Sequence, residues 1–159
     1  MVLNIVENIL PWPDVTQRAS GHLDHRSHQE ILKAGAMEKV ILVVDDEVSM
    51  THMLNLILRK KGFKVLTTTD PHQVDSILNS VVPDLIILDY MMPGINGIRL
   101  CKMIRERLDT RHTPIFMLSA LNDLEVIRDS RAAGADEYLV KPFSPLQLID
   151  TIERLMAAA

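Results

Sequence analysis

The sequence predicts an α/β fold, a doubly wound five-stranded parallel sheet built as (βα)5. Two observations predict it. Five short apolar runs rich in β-formers recur after Lys39, and each is followed by a segment of 3.6-residue periodicity. Strands separated by helices of that length need right-handed crossovers, which leave helices on both faces of a parallel sheet.

The elements follow in order. The first run, Val40–Val44, precedes a segment in which Met50, Met53, Leu54, Ile57 and Leu58 share a face, ended by Gly62. After the second, Lys64–Thr68, come Val74, Ile77, Leu78 and Val81, with Pro71 placed to open a helix and Pro83 beyond its end. The third run, 84–88, leads to Gly97, Leu100, Cys101, Ile104 and Leu108. The fourth, 114–118, leads to Leu124, Ile127 and Ala132, stopping at Gly134. The fifth, Glu137–Val140, passes through a Ser144 cap and Pro145 to Leu148, Ile149, Ile152, Leu155 and Met156. The methionines Met50, Met53, Met91, Met92 and Met103 are read as core and loop filler.

Composition narrows the function classes. A chain of 159 residues that is 47% hydrophobic supports one ordinary domain and an appendage. A formal net charge of −4 offers no general attraction to nucleic acid or an anionic membrane, so neither is expected as a direct partner. Cys101 is the single cysteine and no apolar run approaches the roughly 20 residues of a membrane span. The opening "MVLNIVENILPWP" lacks a basic start and carries Glu7 within its apolar stretch, unlike a secretion signal. A cytoplasmic location is the expectation.

Residues 1–36 differ in character and are expected to form an N-terminal extension, partly helical or disordered, ahead of a domain at 37–159. Val2, Ile5, Val6, Ile9 and Leu10 have helical spacing up to Pro11, and Ser27 with Glu30 forms a capping-box signature for a second short helix. His22, His25 and His28 recur every three residues. They read as a solvated linker, because no cysteine or acidic residue completes a convincing donor set.

In open α/β sheets, ligands bind beyond the carboxyl ends of the strands. There the first strand delivers Asp45 and Asp46, the third Asp89, the fourth Ser119 and the fifth Lys141. Asp45 and Asp46 alone would be read as a solvated turn, but Asp89 and Lys141 at neighbouring strand ends reverse that reading. Clustered carboxylates raise each other's pKa and call for a cation. An all-oxygen set suits Mg²⁺, with Mn²⁺ as a substitute, completed by a backbone carbonyl and water. Beside such an ion Asp89 can act as a nucleophile toward phosphorus, with the Lys141 charge and the Ser119 hydroxyl on the phosphoryl oxygens.

"ILVVDDE", "PDLIILDYMMPGING", "TPIFMLSA" and "GADEYLVKPFS" together resemble the receiver domain of two-component response regulators, of the chemotaxis-regulator kind. The resemblance covers residues 38–157. It implies a flavodoxin-like strand order 2-1-3-4-5 and a phosphorelay switch in which Asp89 accepts a phosphoryl group from a histidine kinase or histidine phosphotransferase. Asp46, Asp89 and the backbone carbonyl of Met91 would ligate Mg²⁺ directly, and Asp45 through water. Ser119 and Tyr138 would form the switch pair, and the Lys141–Pro142 bond would be cis. Met91 and Leu121 occupy the positions that tune dephosphorylation. Neither can hydrogen-bond an attacking water, so slow self-hydrolysis is expected. Thr151 stands where regulators that dimerise through the fourth helix and fifth strand usually carry Arg, leaving Asp136 and Glu137 without that cation. The response would pass through a downstream protein or an output domain outside this chain, and Met37 is an alternative natural start. Turnover of an external substrate is not expected, so the chain is not read as an enzyme. Two rivals are a receiver-fold binding module that acts without phosphorylation, and a metal-dependent phosphohydrolase. The latter commonly has a second Asp two residues after its nucleophile, where this chain has Met91.

Overall fold

The computed structural model describes residues 38–158. The predicted segments within 1–36, including the His22, His25, His28 series, lie outside the described residues. Five strands, β1 (Val40–Val44), β2 (Lys64–Thr68), β3 (Leu85–Asp89), β4 (Ile115–Ser119) and β5 (Glu137–Val140), form one parallel sheet in the order β2-β1-β3-β4-β5. They alternate with α1 (Val48–Lys60), α2 (Val74–Ser80), α3 (Gly97–Glu106), α4 (Leu124–Ala132) and α5 (Pro145–Ala158), and a 3-10 turn at Pro71–Gln73 leads into α2.

Period-two alternation sends neighbouring strand residues to opposite faces. Leu42, Val44, Ile86, Leu88, Ile115 and Met117 pack with Val74 and Leu78 of α2 and with Leu100, Cys101 and Ile104 of α3. Ile41, Val43, Leu85, Ile87, Phe116 and Leu118 pack with Leu54 and Leu58 of α1 and with Leu148, Ile149 and Ile152 of α5. Because β1, β3 and β4 are covered on both faces, their sequences read as continuous apolar runs rather than as alternation.

Local chemistry sets the element ends. Gly62, at φ 92°, lets the chain leave α1 in the left-handed region, and its amide donates to the Arg59 carbonyl at 2.9 Å. Asp70 caps the turn into α2 by accepting from the His72 amide at 2.9 Å. At α5 the Ser144 hydroxyl accepts from the Gln147 amide at 3.2 Å while Gln147 Oε1 accepts from the Ser144 amide at 2.9 Å, a reciprocal capping box.

Five apolar positions depart from the expected pattern. Leu108 is 82% exposed because α3 stops at Glu106. There the Arg107 guanidinium reaches Asp75 and Asn79 on α2 and Asp109 in its own loop, and the backbone turns extended. Leu124 is also 82% exposed, and the only residue α4 buries fully is Ser130, so α4 lies lightly on the sheet. Met53, Met91 and Met103 are exposed as well, so the filler reading holds for Met92 and, in part, for the half-buried Met50. Strands β3 and β4 each run one residue further than their apolar stretches, taking Asp89 and Ser119 into the ladder opposite Leu118 and Val140. Among the described residues no helix is long and apolar enough to cross a membrane.

Candidate phosphoacceptor site

The carboxyl ends of β1 and β3 and the exit of β5 surround an open depression of about 500 Å³ lined by Asp45, Asp46, Glu47, Asp89, Met91, Ala120 and Lys141. Asp45 is 1% exposed and Asp89 5%, whereas Asp46 is exposed. Burying two carboxylates side by side is costly without a cation. Lys141 supplies it: its ammonium donates to Asp45 Oδ2 at 2.8 Å and to Asp89 Oδ1 at 2.6 Å. The remaining oxygens are also engaged, Asp45 Oδ1 by the Glu47 amide at 2.9 Å and Asp89 Oδ2 by the Met91 amide at 2.8 Å.

Electrostatics follow the burial. Desolvation raises the Asp89 pKa above its ordinary value despite the hydrogen bond and charge of Lys141, with the Asp45 charge pushing the same way. Desolvation opposes the Lys141 charge, but the hydrogen bonds and charges of Asp45 and Asp89 outweigh it and raise its pKa. Lys141 therefore stays cationic at neutral pH.

The expected rim differs from the observed one in two ways. Among the described residues, no three His, Cys, Asp or Glu side chains converge at metal-binding spacing, so the three carboxylates do not form a ready-made cup. The reason is electrostatic: the Lys141 ammonium occupies the gap between Asp45 and Asp89, and Asp46 turns to solvent. The donor chemistry still fits a hard divalent ion, since Asp45, Asp46, Asp89 and the adjacent backbone offer only oxygen around an open depression. Second, Ser119 is fully buried and stands behind the depression; Ala120, which has no chemical group to flag it in the sequence, lines the wall instead.

Ser119 and Tyr138 are connected through one residue. The Ser119 hydroxyl accepts from the Leu121 amide at 3.0 Å, and the Tyr138 hydroxyl donates to the Leu121 carbonyl at 2.8 Å. Burial raises the Tyr138 pKa, so the phenol stays protonated as that donor. The Lys141 amide donates to the Ser119 carbonyl at 2.7 Å, and the Lys141–Pro142 bond is cis. Glu137 pairs with Arg154 on α5 at 2.8 Å, and Asp136 with Arg105 on α3 at 2.7 Å. Nothing near either arginine in the sequence marks its partner.

A five-stranded sheet of this order, with an acidic pair, a lone strand-end aspartate and a lysine meeting at its carboxyl edge, defines a class of signalling domain. The chain matches the response regulator receiver domain over residues 41–153 and belongs to that family. The phosphate regulon transcriptional regulatory protein PhoB of Rhizobium meliloti is 38% identical over 119 residues, 75% of this chain and 52% of that protein. The DNA-binding response regulator MtrA of Mycobacterium leprae is 39% identical over 113 residues, 71% of this chain and 49% of that protein. The chain thus spans about half the length of the curated relatives it matches. Among solved structures, chemotaxis protein CheY4 of Vibrio cholerae aligns with TM-score 0.72 at 32% identity, over 75% of this chain and 99% of that one. The receiver domain of a sensor histidine kinase from Pseudomonas aeruginosa aligns with TM-score 0.70 at 26% identity, over 76% and 99% of the two chains, and holds a magnesium ion in its active site cleft.

Proposed function

We propose that this receiver domain is a phosphorylation-dependent switch that takes a phosphoryl group onto Asp89 from a phosphohistidine of a kinase or phosphotransferase. The observation that carries the reading is Lys141 Nζ held 2.8 Å from Asp45 and 2.6 Å from Asp89 at the carboxyl edge of the sheet. That arrangement puts a nucleophilic carboxylate, a second carboxylate and a fixed positive charge on one depression open to a donor.

In the transfer, an Asp89 carboxylate oxygen bonds to phosphorus as the bond from phosphorus to the donor imidazole nitrogen breaks, and the imidazole leaves with that electron pair. Asp45, Asp46, Asp89 and the Met91 carbonyl would hold Mg²⁺, or Mn²⁺ in its place, which neutralises charge on the phosphoryl oxygens when bound. Lys141 transfers its ammonium from the Asp89 carboxylate to a phosphoryl oxygen and keeps Asp45 as its anchor. The Ser119 hydroxyl, released from the Leu121 amide, offers a hydrogen bond to another phosphoryl oxygen. Because Tyr138 holds the carbonyl of that same Leu121, movement at Ser119 reaches the outer face of β5, where a downstream protein or an attached output domain would read it.

Intact mass after incubation with magnesium and acetyl phosphate tests the reading. One added phosphoryl mass is expected in the wild type with metal, and none in Asp89→Asn or without metal. If no mass appears with acetyl phosphate or any histidine phosphodonor, the chain is instead a binding module that signals without phosphorylation.

A further inference from the structure

Gly97 opens α3, and its surroundings, not its place in the helix, account for a glycine there. It is buried at the first helical residue, where helix propensity gives glycine no advantage over alanine. Its backbone lies outside the left-handed region that Gly62, Gly94 and Gly134 adopt, so conformational freedom does not account for it. Its surroundings do: a Cβ there would come within 3.0 Å of the Asp89 carbonyl oxygen, the Tyr90 Cα and the Met117 sulphur.

Two of those three atoms belong to backbone and cannot rotate aside, and Met117 is fully buried. The contact is also stitched, since the Gly97 amide donates to the Tyr90 carbonyl at 2.9 Å. From the far side the Leu118 carbonyl accepts from the Tyr90 amide at 2.8 Å. The chain leaving β3 is therefore held at Tyr90 between β4 and the first turn of α3, one residue beyond Asp89, whose own carbonyl abuts the same turn.

We infer that Gly97 is a positioning residue for phosphoryl transfer: the missing side chain lets α3 press against the β3 exit and sets where the Asp89 carboxylate stands relative to Lys141 and Asp45. The inference rests on the reading of Asp89 as phosphoacceptor. A Cβ would force the two backbones apart by on the order of 1 Å, and a nucleophile misplaced that far loses up to about a hundredfold in rate.

The test compares full-length wild type, Gly97→Ala and Leu100→Ala. Leu100→Ala removes a buried α3 side chain that belongs to the apolar core. Each chain is followed by urea unfolding and by the time course of phosphorylation with magnesium and saturating acetyl phosphate, read as intact mass. Loss of stability alone lowers the amount of chain that reacts, whereas a displaced nucleophile lowers the rate constant of the chain that is folded. The expected result is a rate constant at least about tenfold lower in Gly97→Ala, with Leu100→Ala close to wild type although it is no more stable. Equal rate constants in all three, or equal losses in both variants, overturn the inference. If Gly97→Ala does not fold, Met117→Val is added to it, which removes the buried sulphur and leaves the backbone contacts in place. A folded double variant at the rate of Met117→Val alone overturns the positioning role, as does a double variant that still fails to fold, since Gly97 is then a requirement of the fold. A wild-type chain that takes up no phosphoryl group while Asp89 is intact overturns the reading of the site itself, and this inference with it.

Discussion

Lys141 donates to Asp89 at 2.6 Å across 52 positions of sequence, and with the same nitrogen it reaches Asp45 at 2.8 Å. One ammonium thus holds the two buried carboxylates together. Lys141→Ala leaves two buried carboxylates uncompensated, which costs about 3 kcal/mol without divalent ions. Magnesium should recover much of that loss, because its charge would offset the carboxylates that Lys141 no longer compensates. Urea unfolding with and without magnesium checks this. A larger magnesium stabilisation in wild type than in the variant would contradict it.

Met91 is 58% exposed on the wall of the depression, and Leu121 has both backbone groups engaged by Ser119 and Tyr138. Neither side chain can orient water against the phosphorus of a phosphorylated Asp89. The phospho-form should outlast minutes, and Met91→Asn should shorten its lifetime. Decay of the wild-type phosphoryl mass within a minute, or no acceleration in the variant, would sink this expectation.

Asp84 clamps the start of β1, accepting from the Val40 amide and from Lys39, each at 2.8 Å. Burial works against its ionised form, but the Lys39 and Val40 hydrogen bonds and the Lys39 charge together outweigh it and lower the pKa below 3.8. A depressed folded pKa means the contribution is present above the unfolded value and is lost as pH falls through the folded one. Wild type should exceed Asp84→Asn by about 1 kcal/mol at neutral pH, allowing for solvent screening, and the difference should shrink on acidifying below 3.8. A difference independent of pH would assign the effect to packing instead of charge.

Asp136 and Glu137 already have cations within the fold: Arg105 serves Asp136, which also accepts from the Ile115 amide at 2.8 Å, and Arg154 serves Glu137. Pairing with a second copy through these carboxylates would break existing contacts, with no arginine at Thr151 to compensate. Sedimentation of the phosphorylated chain should therefore show no dimer that Asp136→Ala dissolves. Finding one would restore the dimer formed through α4 and β5.

Much of this architecture is legible in the residues. Apolar runs and helical periodicity locate the five strands and five α-helices of the described residues, and β1, β2 and β5 have the bounds their composition implies. Apolarity stops one residue short of the ends of β3 and β4, but a ladder is made of backbone groups and continues through Asp89 and Ser119 once their neighbours pair. Leu108 continues a helical stripe on paper, yet Arg107 finds partners on α2 and ends the helix first.

The residue order by itself determined the parallel (βα)5 sheet and which side chains gather at its carboxyl edge, because strand direction and crossover hand leave few alternatives. What only the tertiary structure decided is how those groups divide the space. Lys141, rather than three converging carboxylates, fills the gap between Asp45 and Asp89, since charges on separate strands find their lowest energy only after the strands are placed. Ser119 and Tyr138 meet through the backbone of Leu121, and Gly97 abuts the carbonyl of Asp89. Backbone contacts of this kind are set by three-dimensional packing, and no side-chain pattern in the sequence encodes them.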